Sequence, residues 1–178
     1  GFTGIAEKLE PSKVVELLNI FFTLITSVAY EHEGTVFNMA GDSLLVGFGV
    51  PLPQSDSAAR AVRAATGMIR RFQSHVADWH KTYAIDVGLG VGICHGEAIA
   101  GNVGSPTFVN YTIIGEEANG AARLMQNAKA NEILISESVF SRLDLPAENL
   151  RPESLAPMTF KGKSAPMPVY CVRVANDA

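Results

Sequence analysis

Cysteine is scarce in this sequence. Only Cys94 and Cys171 occur in 178 residues, far apart along the chain. That excludes a disulfide framework and the thiolate spacing of a zinc cluster, and makes a reducing compartment the simplest reading. Positive charge is not in excess either. Fourteen Lys+Arg against eighteen Asp+Glu give a net charge of −4, so the general basic footprint of a nucleic-acid binder is missing. No leader pattern is visible. No unbroken apolar run reaches bilayer length, since the most apolar window, Val14 to Tyr30, carries Glu16, Asn19, Thr23, Thr26 and Ser27. Internal repeats and low-complexity tracts are absent. With 47% hydrophobic and 18% charged residues, what is present is a core-forming composition and about one domain's length.

Periodicity organises the chain. From Pro11, a residue suited to a first helical turn, apolar positions Val14, Leu17, Leu18, Phe21, Ile25 and Val28 recur every three or four residues. They predict an amphipathic helix that closes near His32-Glu33-Gly34, with Gly34 as its C-terminal cap. Thr35–Met39 and Ser43–Phe48, separated by Ala40-Gly41-Asp42, predict a hairpin. Ser55 or Asp56 is expected to cap a second long helix reaching about His80. Ile85–His95 reads as a long strand whose Gly88, Gly90 and Gly92 share one face, so something packs very close to it. Glu97–Asn102 is expected to pair with that strand. A short extended piece follows at Tyr111–Ile114, then a helix over Glu116–Ala128, a buried strand at Glu132–Ser136 and a short helix at Glu137–Arg142. After a proline-rich loop, short strands at Met158–Lys161 and Val169–Val174 end the pattern. This order predicts a two-layer α+β fold with a mostly antiparallel sheet.

Three segments carry chemistry. Asp42 sits beside Gly41 in the hairpin turn, where one carboxylate can hold a divalent cation near a phosphate chain; a turn also favours Asp for its own sake. Asn119 and Arg123 lie four apart in Ile114-Gly-Glu-Glu-Ala-Asn-Gly-Ala-Ala-Arg-Leu124, so they share a helix face. An amide beside a planar guanidinium fork suits a sugar and a phosphate, although a surface Arg and a helix Asn need no ligand. Thr112 precedes this helix. In Phe160-Lys161-Gly-Lys163 two cations flank a glycine; they suit phosphates or a solvated turn equally. Two superficial motifs fail. His95-Gly-Glu97 lacks the Cys-x-x-Cys of zinc deaminases, and Gly101-Asn-Val-Gly-Ser105 lacks the Gly-Lys-Ser/Thr of a P-loop.

Taken together, the segments resemble the class III nucleotidyl cyclase catalytic domain, the family of adenylyl and guanylyl cyclases. The resemblance runs through Gly1-Phe2-Thr3, Gly41-Asp42, Gly90-Val-Gly-Ile-Cys-His-Gly-Glu-Ala, Gly101-Asn-Val-Gly-Ser105, Ile114 to Leu124 and Phe160-Lys-Gly, in order and at matching spacing. It implies a ferredoxin-like palm over residues 1–178 as a single catalytic domain. Its active sites would lie at a homodimer interface, where ATP becomes cyclic AMP and pyrophosphate.

Residue by residue, the resemblance makes Asp42 a metal ligand for two divalent ions, Mg or Mn. It makes Asn119 the ribose-orienting residue, Arg123 the stabiliser of the α-phosphoryl group and Lys161 the partner of the terminal phosphates. Gly1, Phe2 and Thr3 become a phosphate-cradling turn, and Asn38 and Thr112 the base-selecting pair. The family's first metal Asp falls three residues before Gly1, on an upstream strand expected in the natural protein. Where adenylyl cyclases carry Lys and guanylyl cyclases Glu, this chain has Asn38, whose amide both donates and accepts. That implies an ATP preference of reduced selectivity. The alternatives are a guanylyl cyclase and a degenerate cyclase-homology module that binds nucleotide or only dimerises. No nucleic-acid partner is expected. The domain is expected in the cytoplasm, with any tie to the inner membrane made through an upstream region.

Overall fold

The structure is a computed structural model, and it describes residues 8–159 and 166–174. Helix α1 spans Pro11–Glu31, with Pro11 at its first turn. Strands β1 (Thr35–Ala40) and β2 (Ser43–Gly47) pair antiparallel. Helix α2 (Ser57–Tyr83) follows, then β3 (Val91–Ile93). β4 (Ile99–Ser105) and β5 (Phe108–Ile114) form a second antiparallel hairpin. Helix α3 (Glu116–Asn127) leads into β6 (Glu132–Ser136), the short helices α4 (Glu137–Phe140) and α5 (Leu145–Glu148), and strands β7 (Glu153–Ser154) and β8 (Val169–Arg173).

The largest sheet runs β3-β6-β8-β7. β3 and β6 are parallel and the other neighbours antiparallel. The mixed helices and mostly antiparallel strands are those the sequence predicts.

Three clusters hold the domain together. Leu17, Phe21, Ile25 and Val28 of α1 pack on Ala64, Met68, Phe72 and Trp79 of α2, with partly buried side chains of β1 and β2 against them. Phe72 meets Phe21 and Trp79 edge-on, at centroid distances of 5.3 and 5.6 Å, the arrangement that aromatic quadrupoles favour. Further along α2, Ala58, Val62, Ala65 and Ile69 lie over Ile133, Ile135 and Val172 of the sheet. Leu124 of α3 covers Leu134, Val169 and Cys171 from the other side. β6 is therefore enclosed on both faces, and for that reason its sequence reads as a continuous apolar run rather than an alternating one.

Helix α1 meets the length and hydropathy needed to cross a bilayer, with a mean hydropathy of 1.5, which its broken apolar window had not suggested. Its buried residues Leu17, Phe21, Ile25, Val28 and Ala29 face α2, as in a core helix.

Several boundaries differ from expectation. Only Val91–Ile93 of the anticipated Ile85–His95 strand forms a ladder. Residues 84–90 have no strand partner among the described residues, and strand-like composition without a partner yields no strand. β4 pairs with β5 rather than with β3, so Glu97–Asn102 does not extend the larger sheet. Only Pro106 and Thr107 separate β4 from β5, whose ladder runs on to the Ser105–Phe108 pair. After α1 it is Glu33, not Gly34, that takes the left-handed φ, +59°. Gly34 is needed for space: a Cβ there would lie 2.9 Å from Phe48 and Val46 side chains and 3.0 Å from the Ala29 carbonyl. Asp56 occupies the N-cap position of α2 but makes no side-chain cap. Its carboxylate instead takes Arg60 at 2.6 Å and Arg63 at 3.0 Å.

Candidate active site

The candidate residues among those described sit on two hairpins and one helix. In the first hairpin Ala40 pairs with Ser43, leaving Gly41 and Asp42 as the two turn residues. Gly41 supplies a left-handed φ of +59°, which a glycine adopts without steric cost. Ser43 Oγ donates to the Ala40 carbonyl at 2.7 Å and closes the turn. Asp42 is thereby presented at the exposed tip.

Asn38 lies four residues earlier on β1, exposed, just after a β-bulge at which the register slips between Val36 and Asn38. A bulge re-aims the side chains around it. Phe37, the extra residue, turns inward and is only 7% exposed. Its ring takes the space left by Gly47, where a Cβ would sit 2.7 Å from Phe37 Cε2.

Thr112 is half-buried on β5, directly opposite Gly101. Nothing lies within 4 Å of where a Gly101 side chain would begin, so space is open on that flank of Thr112. Phe37 and Tyr111, the residues preceding Asn38 and Thr112, stack with centroids 5.6 Å apart and planes at 23°.

Helix α3 has its rotation fixed from within. Leu124 is fully buried and Gly120 is buried. A Cβ on Gly120 would come 2.9 Å from Cys94 Sγ, so this glycine lets the helix settle against the residue following β3. The predicted glycine face accounts for the rest. A Cβ on Gly92 would lie 2.2 Å from the Ala121 carbonyl and 2.3 Å from the Met125 nitrogen, and one on Gly90 2.9 Å from the Ala128 carbonyl. With that side of α3 pressed on the strand, Asn119 is left exposed and Arg123 half-buried. Glu116 and Glu117 occupy the first turn, where negative charge suits the helix dipole.

Lys161, Lys163, Gly1, Phe2 and Thr3 lie outside the described residues. Just before and after the Lys161 segment, Met158 and Met167 form an antiparallel bridge with reciprocal 2.9 Å hydrogen bonds, where a strand over Met158–Lys161 was expected. Among the described residues, no cluster of three or more His, Cys, Asp or Glu side chains stands ready for a metal.

Several other residues take structural places. Trp79 is core. His80 Nδ1 meets Asp86 at 2.7 Å, and His75 Nδ1 lies 3.1 Å from the Arg71 carbonyl oxygen. The basic face of α2 is largely neutralised: Arg60 pairs with Asp56 and Glu33, Arg63 with Asp56 and Glu148, and Arg71 with Glu31. His95, whose carbonyl accepts from Ser138 Oγ at 2.8 Å, has its pKa lowered by burial and then by the Arg142 charge. The bulge at Phe37 and its stack on Tyr111 had no signal in sequence spacing.

The comparisons with known proteins agree with one another. The family profile described as the adenylate and guanylate cyclase catalytic domain matches residues 1–173. The adenylyl cyclase CyaB from P. aeruginosa superposes with a TM-score of 0.88 at 31% identity, over 99% of this chain and 90% of that one. The guanylyl cyclase Cya2 does so at 0.83 and 30%, over 99% and 89%. An uncharacterized protein of Mycobacterium tuberculosis is 37% identical over 133 residues, which are 73% of this chain and 23% of that protein. This chain thus spans less than a quarter of that relative's length. The guanylate cyclase domain of RhGC from Catenaria anguillulae, at 23% identity and a TM-score of 0.79, shares the fold. The chain belongs to the adenylate and guanylate cyclase catalytic-domain family.

Proposed function

We propose that this domain converts ATP to 3′,5′-cyclic AMP and pyrophosphate at sites shared between two copies of the chain. The observation that carries the reading is the rotation of α3. Gly120 and Leu124 are spent on packing against β3 and β6, so Asn119 and Arg123 share the side of α3 turned away from that contact. In the reaction the ribose 3′-oxygen forms a bond to the α-phosphorus as the bond from that phosphorus to the β-phosphate bridging oxygen breaks. The 3′-hydroxyl proton is released. Charge builds on the α-phosphoryl oxygens, and the guanidinium fork of Arg123 matches it. The Asn119 amide orients the ribose, and Lys161 meets the terminal phosphates.

Asp42 would supply a hard oxygen donor to Mg²⁺ or Mn²⁺. One or two carboxylates, with water and substrate phosphates, are the usual donor set for such an ion. A bound divalent ion would lower the pKa of the 3′-hydroxyl and neutralise phosphate charge. Ile99, Val103, Phe108, Val109 and Ile114 of the β4–β5 hairpin are exposed apolar residues. Their density on one hairpin supports burial against a second copy. The domain acts where ATP is found, on the cytoplasmic side.

A second reading, guanylyl cyclase, draws on Asn38. Its amide can turn to satisfy adenine N1 or guanine N1–H, so GTP is expected as a weaker substrate. The test incubates the full-length protein with ATP or GTP plus Mn²⁺ or Mg²⁺ and identifies the products by chromatography. Cyclic AMP that disappears in Asp42→Ala and Arg123→Ala is the expected result. A verified dimer making neither cyclic nucleotide would instead point to the regulatory reading.

A further inference from the structure

We propose that the Phe37–Tyr111 ring stack is a positioning element for nucleotide choice, holding Asn38 and Thr112 at one fixed spacing. The inference rests on the base-selecting role proposed for those two residues. They come from different hairpins. Among the described residues β1–β2 and β4–β5 are separate two-stranded sheets with no ladder between them, although β1 and β5 lie side by side. Backbone hydrogen bonding therefore does not set the distance between the two strands; side chains must. The stack is where they meet, with ring centroids 5.6 Å apart and planes 23° from parallel.

The first hairpin is shaped around this contact. The bulge between Val36 and Asn38 inserts Phe37 as an additional residue. Gly47 on the facing strand leaves room for the ring, and a Cβ there would lie 2.7 Å from it. Phe37 is buried while its successor Asn38 is exposed. The bulge thus separates an anchoring ring from a presented amide. On the other side Tyr111 anchors and Thr112, the next residue, faces Gly101, where space is open. Since neither Asn38 nor Thr112 carries a charge, discrimination between adenine and guanine depends on hydrogen-bond geometry, and so on how rigidly the pair is spaced.

The experiment compares kcat/KM for ATP and for GTP within each preparation of the full-length protein, so that the fraction of active dimer cancels from the ratio. Dissociation constants for fluorescent ATP and GTP analogues provide a second readout. Tyr111→Ala removes one ring from an exposed site, and Phe37→Leu keeps an apolar group in the buried one. Both are expected to narrow the ATP-to-GTP ratio by about two- to tenfold, the scale of one aromatic pair. Tyr111→Phe keeps the ring and is expected to preserve the ratio. Asn38→Lys and Thr112→Ala serve as references. If they move the ratio while Tyr111→Ala and Phe37→Leu leave it unchanged, the positioning role is overturned and the base-selecting pair stands. If the references do not move it, or if the wild-type protein binds neither analogue, the base-selecting reading fails and takes this inference with it.

Discussion

Gly92→Ala tests whether the glycine face of β3 exists to seat the helix carrying Asn119 and Arg123. The added methyl would lie 2.2 Å from the Ala121 carbonyl oxygen, 2.3 Å from the Met125 nitrogen and 2.8 Å from Leu124 Cβ. Two of these neighbours are backbone of α3, which cannot turn aside as a side-chain tip can. The helix must shift outward as a unit or the strand must bow. Overpacking of a core typically costs about 1–3 kcal/mol, and a clash with helix backbone belongs at or above the top of that range. For a domain of this size about 3 kcal/mol lowers Tm by roughly 6–12 °C.

Calorimetry or thermal circular dichroism reads that shift directly. A series sharpens it. Gly90→Ala meets the Ala128 carbonyl at 2.9 Å and should cost less, while Gly101→Ala, with nothing within 4 Å, should stay within about 0.5 kcal/mol of wild type. Cyclase activity of the Gly92 variant, measured well below its Tm, should fall more than the loss of folded protein explains, because the displaced helix bears Asn119 and Arg123. A Gly92→Ala protein with wild-type Tm and activity would refute the claim that this strand sets the position of α3.

Mixing Asp42→Ala with Arg123→Ala protein should restore roughly a quarter of wild-type activity, since half the dimers at equal mixing are heterodimers and each has one intact site of two; no recovery would refute a shared site. Burial and the Arg142 charge lower the pKa of His95 below its usual 6.5, while Glu117 opposes them. The stability His95 contributes by being neutral is therefore present above pH 6.5 and is lost as pH falls through its folded value. His95→Gln should flatten the stability profile in that window, as followed by denaturant melts, and an unchanged slope would contradict the assignment. Leu124→Ala, at a fully buried site, should cost about 2–5 kcal/mol in urea unfolding, and a cost below 1 kcal/mol would show that α3 is not anchored there.

What the sequence made legible were the elements whose signals are local. Pro11 and the apolar stripe after it mark α1, and the Gly41-Asp42 turn marks the first hairpin. The buried run at Glu132–Ser136 marks β6. Each depends on residues within a few positions of one another. The predicted strand over Ile85–His95 failed for the opposite reason: a strand exists only through its partner, and residues 84–90 have none among the described residues. The glycines within it nevertheless said something true, because close approach of another element is a property of the glycine face itself.

The candidate site divides along the same line. Asp42, Asn119 and Arg123 were visible as motif residues, and the buried Gly120 and Leu124 explain why the last two share an outward side of α3. The Phe37–Tyr111 contact was invisible, because it joins strands far apart in sequence through a bulge that no composition announces.

The pieces of the site are held with unequal firmness, and this bears on what a second copy would do. Helix α3 is locked by Leu124 and by the glycines beneath it. The β4–β5 hairpin, which carries Thr112, pairs only with itself among the described residues and leaves Ile99 75%, Phe108 73% and Ile114 51% exposed on the face that bears Thr112. A hairpin with only two strands is marginal in water unless its apolar face is covered. In the proposed dimer Asp42 of one copy meets Arg123 of the other, so association covers that face in the same step as it completes the site, while the Phe37–Tyr111 stack already holds Thr112 to the first hairpin. Specific activity should then rise with protein concentration and level off as dimers saturate. Phe108→Asp should move the rise to higher concentration, because a buried carboxylate opposes association, while leaving the isolated fold intact at a residue already exposed to solvent. Sedimentation velocity and initial rates over the same dilution series measure both halves of this claim. Specific activity that stays constant while the dimer dissociates would break the link between association and assembly of the site.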